Sequence, residues 1–183
     1  MTPASLGPRW VKACPPTKGA SAHDMKAPAS GSITVGLISV THGLLRPEAL
    51  DALRGADFLV HPGHIGSSVI LAKLSTMAPL TAVRGNNDLA DWAAKVPLLN
   101  SLSVGVTHIQ VVHELPHLKG KALPAGTRVV VYGHSHRPAV DFNDGVLYIN
   151  PGSAGPRRFK LPVTVARLRI ADKKLDAEIV SLL

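Results

Sequence analysis

The 183-residue chain has one cysteine, Cys14, and only three Phe, two Trp and two Tyr. A lone cysteine cannot pair within the chain, which excludes an intrachain disulfide framework and leads us to expect a reducing compartment, the cytoplasm. The longest apolar runs, such as Ile33 to Val40, are interrupted by Gly and Thr and fall short of the ~20 residues a bilayer-crossing helix needs. Aromatics at 4% are too few for a platform that stacks single-stranded nucleic acid. Acidic side chains are scarce too, twelve against twenty Lys and Arg, for a formal net charge of +8. That excess is spread along the chain, +3 within residues 1–32 and +5 within the rest, with the bias strongest after Arg128. It reads as a solvated basic surface rather than a nucleic-acid interface.

What is present changes at about residue 32. Residues 1–32 are dense in Pro, Gly, Ala, Ser and Thr without helical or strand periodicity, and read as a disordered or leader-like extension. They lack the apolar central region of a secretory signal, and Met25 is an alternative start. From Ile33 to Leu183 short apolar runs alternate with loop and helix signals, the signature of one α/β domain. Strands are expected at residues 33–40, 58–61, 80–84, 108–113 and 128–133. Helices are expected after Pro47 and across Ser67–Thr76. Beyond Gly133 the texture is all strand, with a hairpin turn at Asp144-Gly145.

The polar residues cluster where those strands end: Thr41-His42-Gly43, Pro62-Gly63-His64, Gly85-Asn86-Asn87-Asp88, His113-Glu114 and Gly133-His134-Ser135-His136. Loops beyond the carboxyl ends of strands in an open α/β sheet line one crevice, so these segments should converge. Five of the nine histidines would then lie together. Neutral imidazole is the commonest side-chain metal ligand, and a metal site is the chemistry the pattern favours. The neighbouring glycines are expected to supply the positive-φ turns that aim these side chains inward.

The ordered set ISVTHG, VHPGHIGS, VRGNND, VVHEL, YGHSHRP and INPGSAGPRRF resembles the calcineurin-like metallophosphoesterases. It is most similar to the small bacterial phosphodiesterase branch, which includes the retromer scaffold subunit. The resemblance covers residues 33–183 and implies two packed mixed β-sheets flanked by helices, an αββα sandwich. It also implies two divalent ions at the strand ends. Carried over by position, the first ion's ligands would be position 40, His42, position 64 and His136, and the second's would be position 64, Asn86, His113 and His134. The residues placed nearest the chemistry are Asp88, Asn86 and His113.

Two positions depart from the pattern. Val40 stands where the family has the Asp of D-x-H, and His64 stands where it has the bridging Asp, so both carboxylate ligands are gone. Two divalent ions ~3.5–4 Å apart repel strongly, and a bridging carboxylate offsets that repulsion. A neutral imidazole nitrogen has one lone pair and cannot replace it. One ion (Mn, Zn, Fe or Ni) is therefore expected rather than two, unless an anion such as phosphate substitutes for the bridge. Two arrangements stay open: His42, His64 and His136 with an open fourth position, or His64, Asn86, His113 and His134.

Either arrangement would lower the pKa of coordinated solvent and make it a nucleophile for a small phosphate ester. Asp88 falls where the family orients a metal-bound His or solvent, or else it starts a helix. Asn87 replaces a general-acid His, which favours esters with acidic leaving groups. Arg157 and Arg158 could meet a substrate phosphate. The competing readings are a catalytically degenerate binding module, and a hydrolase with a changed metal and reaction. Oligomeric state, homo-oligomer included, is not encoded in these motifs.

Overall fold

The computed structural model describes residues 31–183. The expectation for residues 1–32 lies, except for Gly31 and Ser32, outside the described residues. Ten strands form two five-stranded sheets. In chain order they are β1 (Ile33–Leu37), β2 (Phe58–Pro62), β3 (Leu80–Val83), β4 (Leu99–Val104), β5 (Thr107–Val112), β6 (Thr127–Val131), β7 (Ala139–Asn143), β8 (Val146–Asn150), β9 (Thr164–Ala171) and β10 (Lys174–Ser181). The first sheet runs β10-β9-β1-β2-β3 and the second β4-β5-β6-β8-β7. Each mixes parallel pairs, such as β1 with β2 and β5 with β6, with antiparallel hairpins.

One core joins the sheets. Val35, Leu37, Val60, Val83 and Leu168 of the first sheet meet Ile109, Val111, Val129, Val131 and Ile149 of the second. These strands read as near-continuous apolar runs because both faces are covered, as parallel strands require. The outer face of the first sheet takes both α-helices, α1 (Pro47–Ala52) and α2 (Ser68–Ser75). Ala49, Leu53, Ile70 and Leu74 pack there against Ile38, Leu59 and Val165. The sandwich expected from the resemblance is therefore present, with its α-helices on one side. Leu115, Leu118 and Leu123 line a shallow pocket together with Tyr148 of β8.

Two differences from the expected strands have local causes. Strand β4, LNSLSV, interleaves its three apolar residues with Asn and Ser and gives only a weak signal, yet it pairs along its length with β5 across the turn at Gly105 and Val106. Strand β1 stops at Leu37 instead of Val40, because Val40 and His42 take positive φ angles of 55° and 46°. The chain beyond β1 nevertheless stays zipped to the chain beyond β2. Val40 donates its amide to Gly63 O, His42 to His64 O and Gly43 to Ile65 O, at 3.1, 2.9 and 2.9 Å. From the other side, the amides of Ala154 and Gly155 donate to Ser39 O and Val40 O.

Gly155 lies so close to this segment that an added Cβ would sit 2.4 Å from Thr41 O and 2.6 Å from Val40 O. Backbone atoms cannot swing aside. Gly155→Ala is expected to destabilise the protein by about 1–3 kcal/mol in urea unfolding, the usual cost of overpacking. Truncating exposed Leu89 to Ala should stay within about 0.5 kcal/mol.

Candidate metal centre

The loops after β1, β2, β3, β5 and β6 meet at one end of the sandwich. His42, His64 and His136 each bring a ring nitrogen to within 4.8 Å of the others, and so do His64, His113 and His134. His64 belongs to both groups. Its ring centroid lies 4.8 Å from that of His42 and 4.1 Å from that of His113. All five sequence-predicted histidines are thus brought together.

The histidines themselves adopt the left-handed backbone, with φ of 46° at His42, 55° at His64, 67° at His134 and 60° at His136. The sequence reading assigned this conformation to the adjacent glycines. Gly43 and Gly63 do adopt it, but the turns are made jointly with the histidines. Histidine tolerates this region better than most residues. Val40, at 55°, is β-branched and strained there, as backbone at functional sites often is. Gly85 answers a different need: a Cβ on it would lie 2.5 Å from His64 Cδ2 and 2.6 Å from His64 N, so only glycine lets this loop pass behind the ring.

Hydrogen bonds assign the tautomers. His113 Nδ1 donates to Pro62 O at 2.7 Å, leaving Nε2 as an acceptor, and His134 Nδ1 lies 3.3 Å from it. The same His134 nitrogen is 3.4 Å from a Glu114 carboxylate oxygen. His64 Nε2 lies 2.6 Å from Asn86 Oδ1, which can only accept. Among the described residues, three buried ring nitrogens have no partner: His42 Nε2, His64 Nδ1 and His136 Nδ1. Unpartnered buried polar atoms are costly, and a cation with affinity for imidazole satisfies them, so the residues present fit a divalent ion.

Burial disfavours protonation of the His42, His64, His113 and His136 rings. It pushes His113 and His136 down to about 4, with the positive charge of Arg158 the next cause at His136. His42 and His64 are lowered as well, chiefly by burial. The charge of Arg158 thus disfavours the protonated forms of His42 and His136.

Asp88 is buried, but its oxygens face the backbone. They accept from the amides of Gly85 at 2.8 Å, Ile65 at 3.1 Å and Gly66 at 2.8 Å. Asp88 makes no hydrogen bond to a histidine ring among the described residues, and it ties the loop that carries His64 to the loop that carries Asn86. It does not start a helix either, since the next helical turn spans Asp91–Lys95. No carboxylate belongs to either histidine group among the described residues. Asn87 is exposed on the same turn as Asn86.

Sequence reasoning missed His61. It is fully buried, accepts from Gly63 N at 3.2 Å through Nδ1, and has Nε2 3.1 Å from the Thr41 hydroxyl, which donates onward to Ile65 O. Only its place inside a predicted strand hinted at burial.

The model of the calcineurin-like phosphoesterase superfamily domain matches residues 33–173, well over half of the chain. The chain belongs to this superfamily. A probable metallophosphoesterase of Methanothermobacter thermautotrophicus is 35% identical over 158 residues, covering 80% of this chain and 91% of the relative. Among solved structures, an archaeal phosphodiesterase superposes with a TM-score of 0.65 at 22% identity, over 81% of this chain and 100% of that one. Vps29 from Entamoeba histolytica, solved with zinc, gives 0.58 at 18% identity, over 82% of this chain and 100% of that one. These two establish likeness of fold. No helix among the described residues of this phosphoesterase-family chain is long and apolar enough to cross a membrane.

The buried neutral imidazoles make acid stability a sensitive readout. His61 is held down at about 3, and His113 and His136 at about 4, all by burial first, against an ordinary value of 6.5. Between these values the unfolded chain binds protons that the folded chain refuses, so stability is full above 6.5 and is lost as pH falls towards the folded values. The urea midpoint of the metal-free protein is expected to fall steadily from about pH 6.5 to about pH 4. A midpoint that stays flat over that range would show that these rings charge in the folded state.

Proposed function

We propose that the chain is a metal-dependent phosphoesterase that hydrolyses small phosphate esters, phosphodiesters or monoesters, with one divalent ion held by histidine. The observation that carries this reading is the pair of three-histidine groups sharing His64, with buried ring nitrogens that lack partners. The superfamily supplies the reaction class. A divalent ion bound there supplies charge for a phosphoryl oxygen and a source of hydroxide near neutral pH.

The rest falls to the chain. Burial keeps His42, His64, His113 and His136 neutral, the left-handed loops aim the rings, and the positive charge of Arg158, felt at His42 and His136, would draw in an anionic ester. Asn87 offers an amide where an imidazole would donate a proton, so leaving groups that depart without protonation are favoured. The absence of carboxylate at positions 40 and 64 implies reduced or redirected turnover. It leaves a bound ion more electrophilic and gives a second ion nothing to share.

A second reading, a binding module that has kept the fold, is favoured by Val40, which offers no donor atom. Metal content separates the two. After loading with manganese or zinc and exchange into chelator-containing buffer, mass spectrometry of the metal is expected to find about one ion per chain. A value near zero would favour the binding module, and two tightly held ions would refute the argument from the missing bridge. Restoring the carboxylates is the complementary test. Val40→Asp combined with His64→Asp is expected to raise hydrolysis of an activated aryl phosphodiester in manganese, and no gain would show that the missing carboxylates are not what limits the site.

A further inference from the structure

The two histidine groups are not equivalent in what their nitrogens are already doing. In the group of His64, His113 and His134, the ring of His113 is committed at both ends, donating to Pro62 O through Nδ1 and meeting His134 Nδ1 through Nε2. That His134 nitrogen also faces Glu114. An ion seated there would have to break a contact the protein already satisfies. In the group of His42, His64 and His136, every ring carries one buried nitrogen without a partner.

His64 decides the matter because one of its nitrogens is engaged and the other is not. Asn86 Oδ1 can only accept, so the 2.6 Å contact places the proton on Nε2 and leaves the lone pair on Nδ1, the buried nitrogen that lacks a partner. Metal-ligating histidines characteristically donate their other ring N–H to a carbonyl or carboxylate oxygen, which fixes the tautomer and strengthens the ligand. The Asn86 side-chain carbonyl has this relation to His64.

We propose that the chain holds its ion at His42, His64 and His136, and that Asn86 is a positioning residue acting through His64 rather than a ligand. His113 and His134 then form a supporting pair. A neutral His64 has one lone pair to give, so the two groups are alternatives and are not filled together. This rests on the proposed reading that the chain binds an ion, and refines it to one three-histidine site with an open position.

The test uses cobalt(II) alone on the metal-free full-length chain. Affinity is read by competition with a chromophoric chelator, and coordination from cobalt's visible absorption. One cobalt per chain is expected. His42→Ala and His136→Ala should each weaken binding more than any change at Asn86, with His42→Gln replacing the alanine variant should that fail to fold. His134→Ala, at a half-exposed ring, should leave affinity within a few-fold of the parent. Asn86→Ala should weaken binding by about 10–100-fold, with the absorption maximum unmoved, and Asn86→Asp, which keeps an acceptor, should restore it.

A loss in His134→Ala as large as that in His42→Ala would place the ion in the other group and overturn the assignment. A shifted absorption maximum in Asn86→Ala would make Asn86 a ligand, with the same result. Two cobalt ions per chain would end the claim that the groups are alternatives. A chain that retains no cobalt would overturn the metal-dependent reading itself, whereas a misplaced ion overturns only this refinement.

Discussion

Three backbone amides converge on the carboxylate of Asp88, and the arrangement of the site depends on that convergence. Gly85 belongs to the loop after β3, and Ile65 and Gly66 to the loop after β2, so one buried anion ties two loops together. Between the tethered residues and β2 sits His64, which is why a ring shared by two histidine groups is held in one place. A second constraint meets it from β1. The amides of Val40, His42 and Gly43 continue the parallel ladder onto the same segment after β2 has formally ended. The histidines are therefore carried on loops that behave like extensions of the sheet, with little freedom to rearrange around an incoming ligand.

The electrostatic character of the site follows from which charges are absent. A site with two carboxylates can neutralise much of the charge of two divalent ions. Neither histidine group here includes a carboxylate, and the buried Asp88 is spent on the backbone. Arg158 adds further positive potential beside His42 and His136. A cation bound there would be held more by ligand geometry than by attraction between opposite charges, and any anion that entered would meet a field already in its favour. Such a site suits a substrate or co-ligand that brings its own negative charge.

The sequence made the central strands and the convergence of the histidines legible, because buried parallel strands show as apolar runs and the motifs follow them immediately, while the pairing of two sheets was implied by the family resemblance. It was less informative where tertiary pairing overrides local composition. Strand β4 is a half-polar edge strand whose weak apolar pattern, Leu102 and Val104, becomes a strand because β5 lies beside it. His61 looks like the end of a strand until the loops fold over it. Asp88 was recognised as special, but a carboxylate near a histidine cluster looks the same in sequence whether it faces the ring or the backbone behind it. The choice between the two ligand groups depended on the direction of individual lone pairs, which spacing cannot encode. The positive φ angles were expected at glycine and fell on histidine as well, because the constraint comes from where the ring must point.

Val40 holds a conformation that valine resists, between neighbours that leave it no other, since its amide is bound to Gly63 and its carbonyl accepts from Ser153 and Gly155. Asp and Asn are among the few residues other than glycine that occupy this region readily. Replacement of Val40 by either would relax the backbone before any metal is considered. Backbone comfort and metal affinity thus point to the same substitution, and a population selected only for resistance to heat could drift back towards a carboxylate at this position with catalysis never under selection.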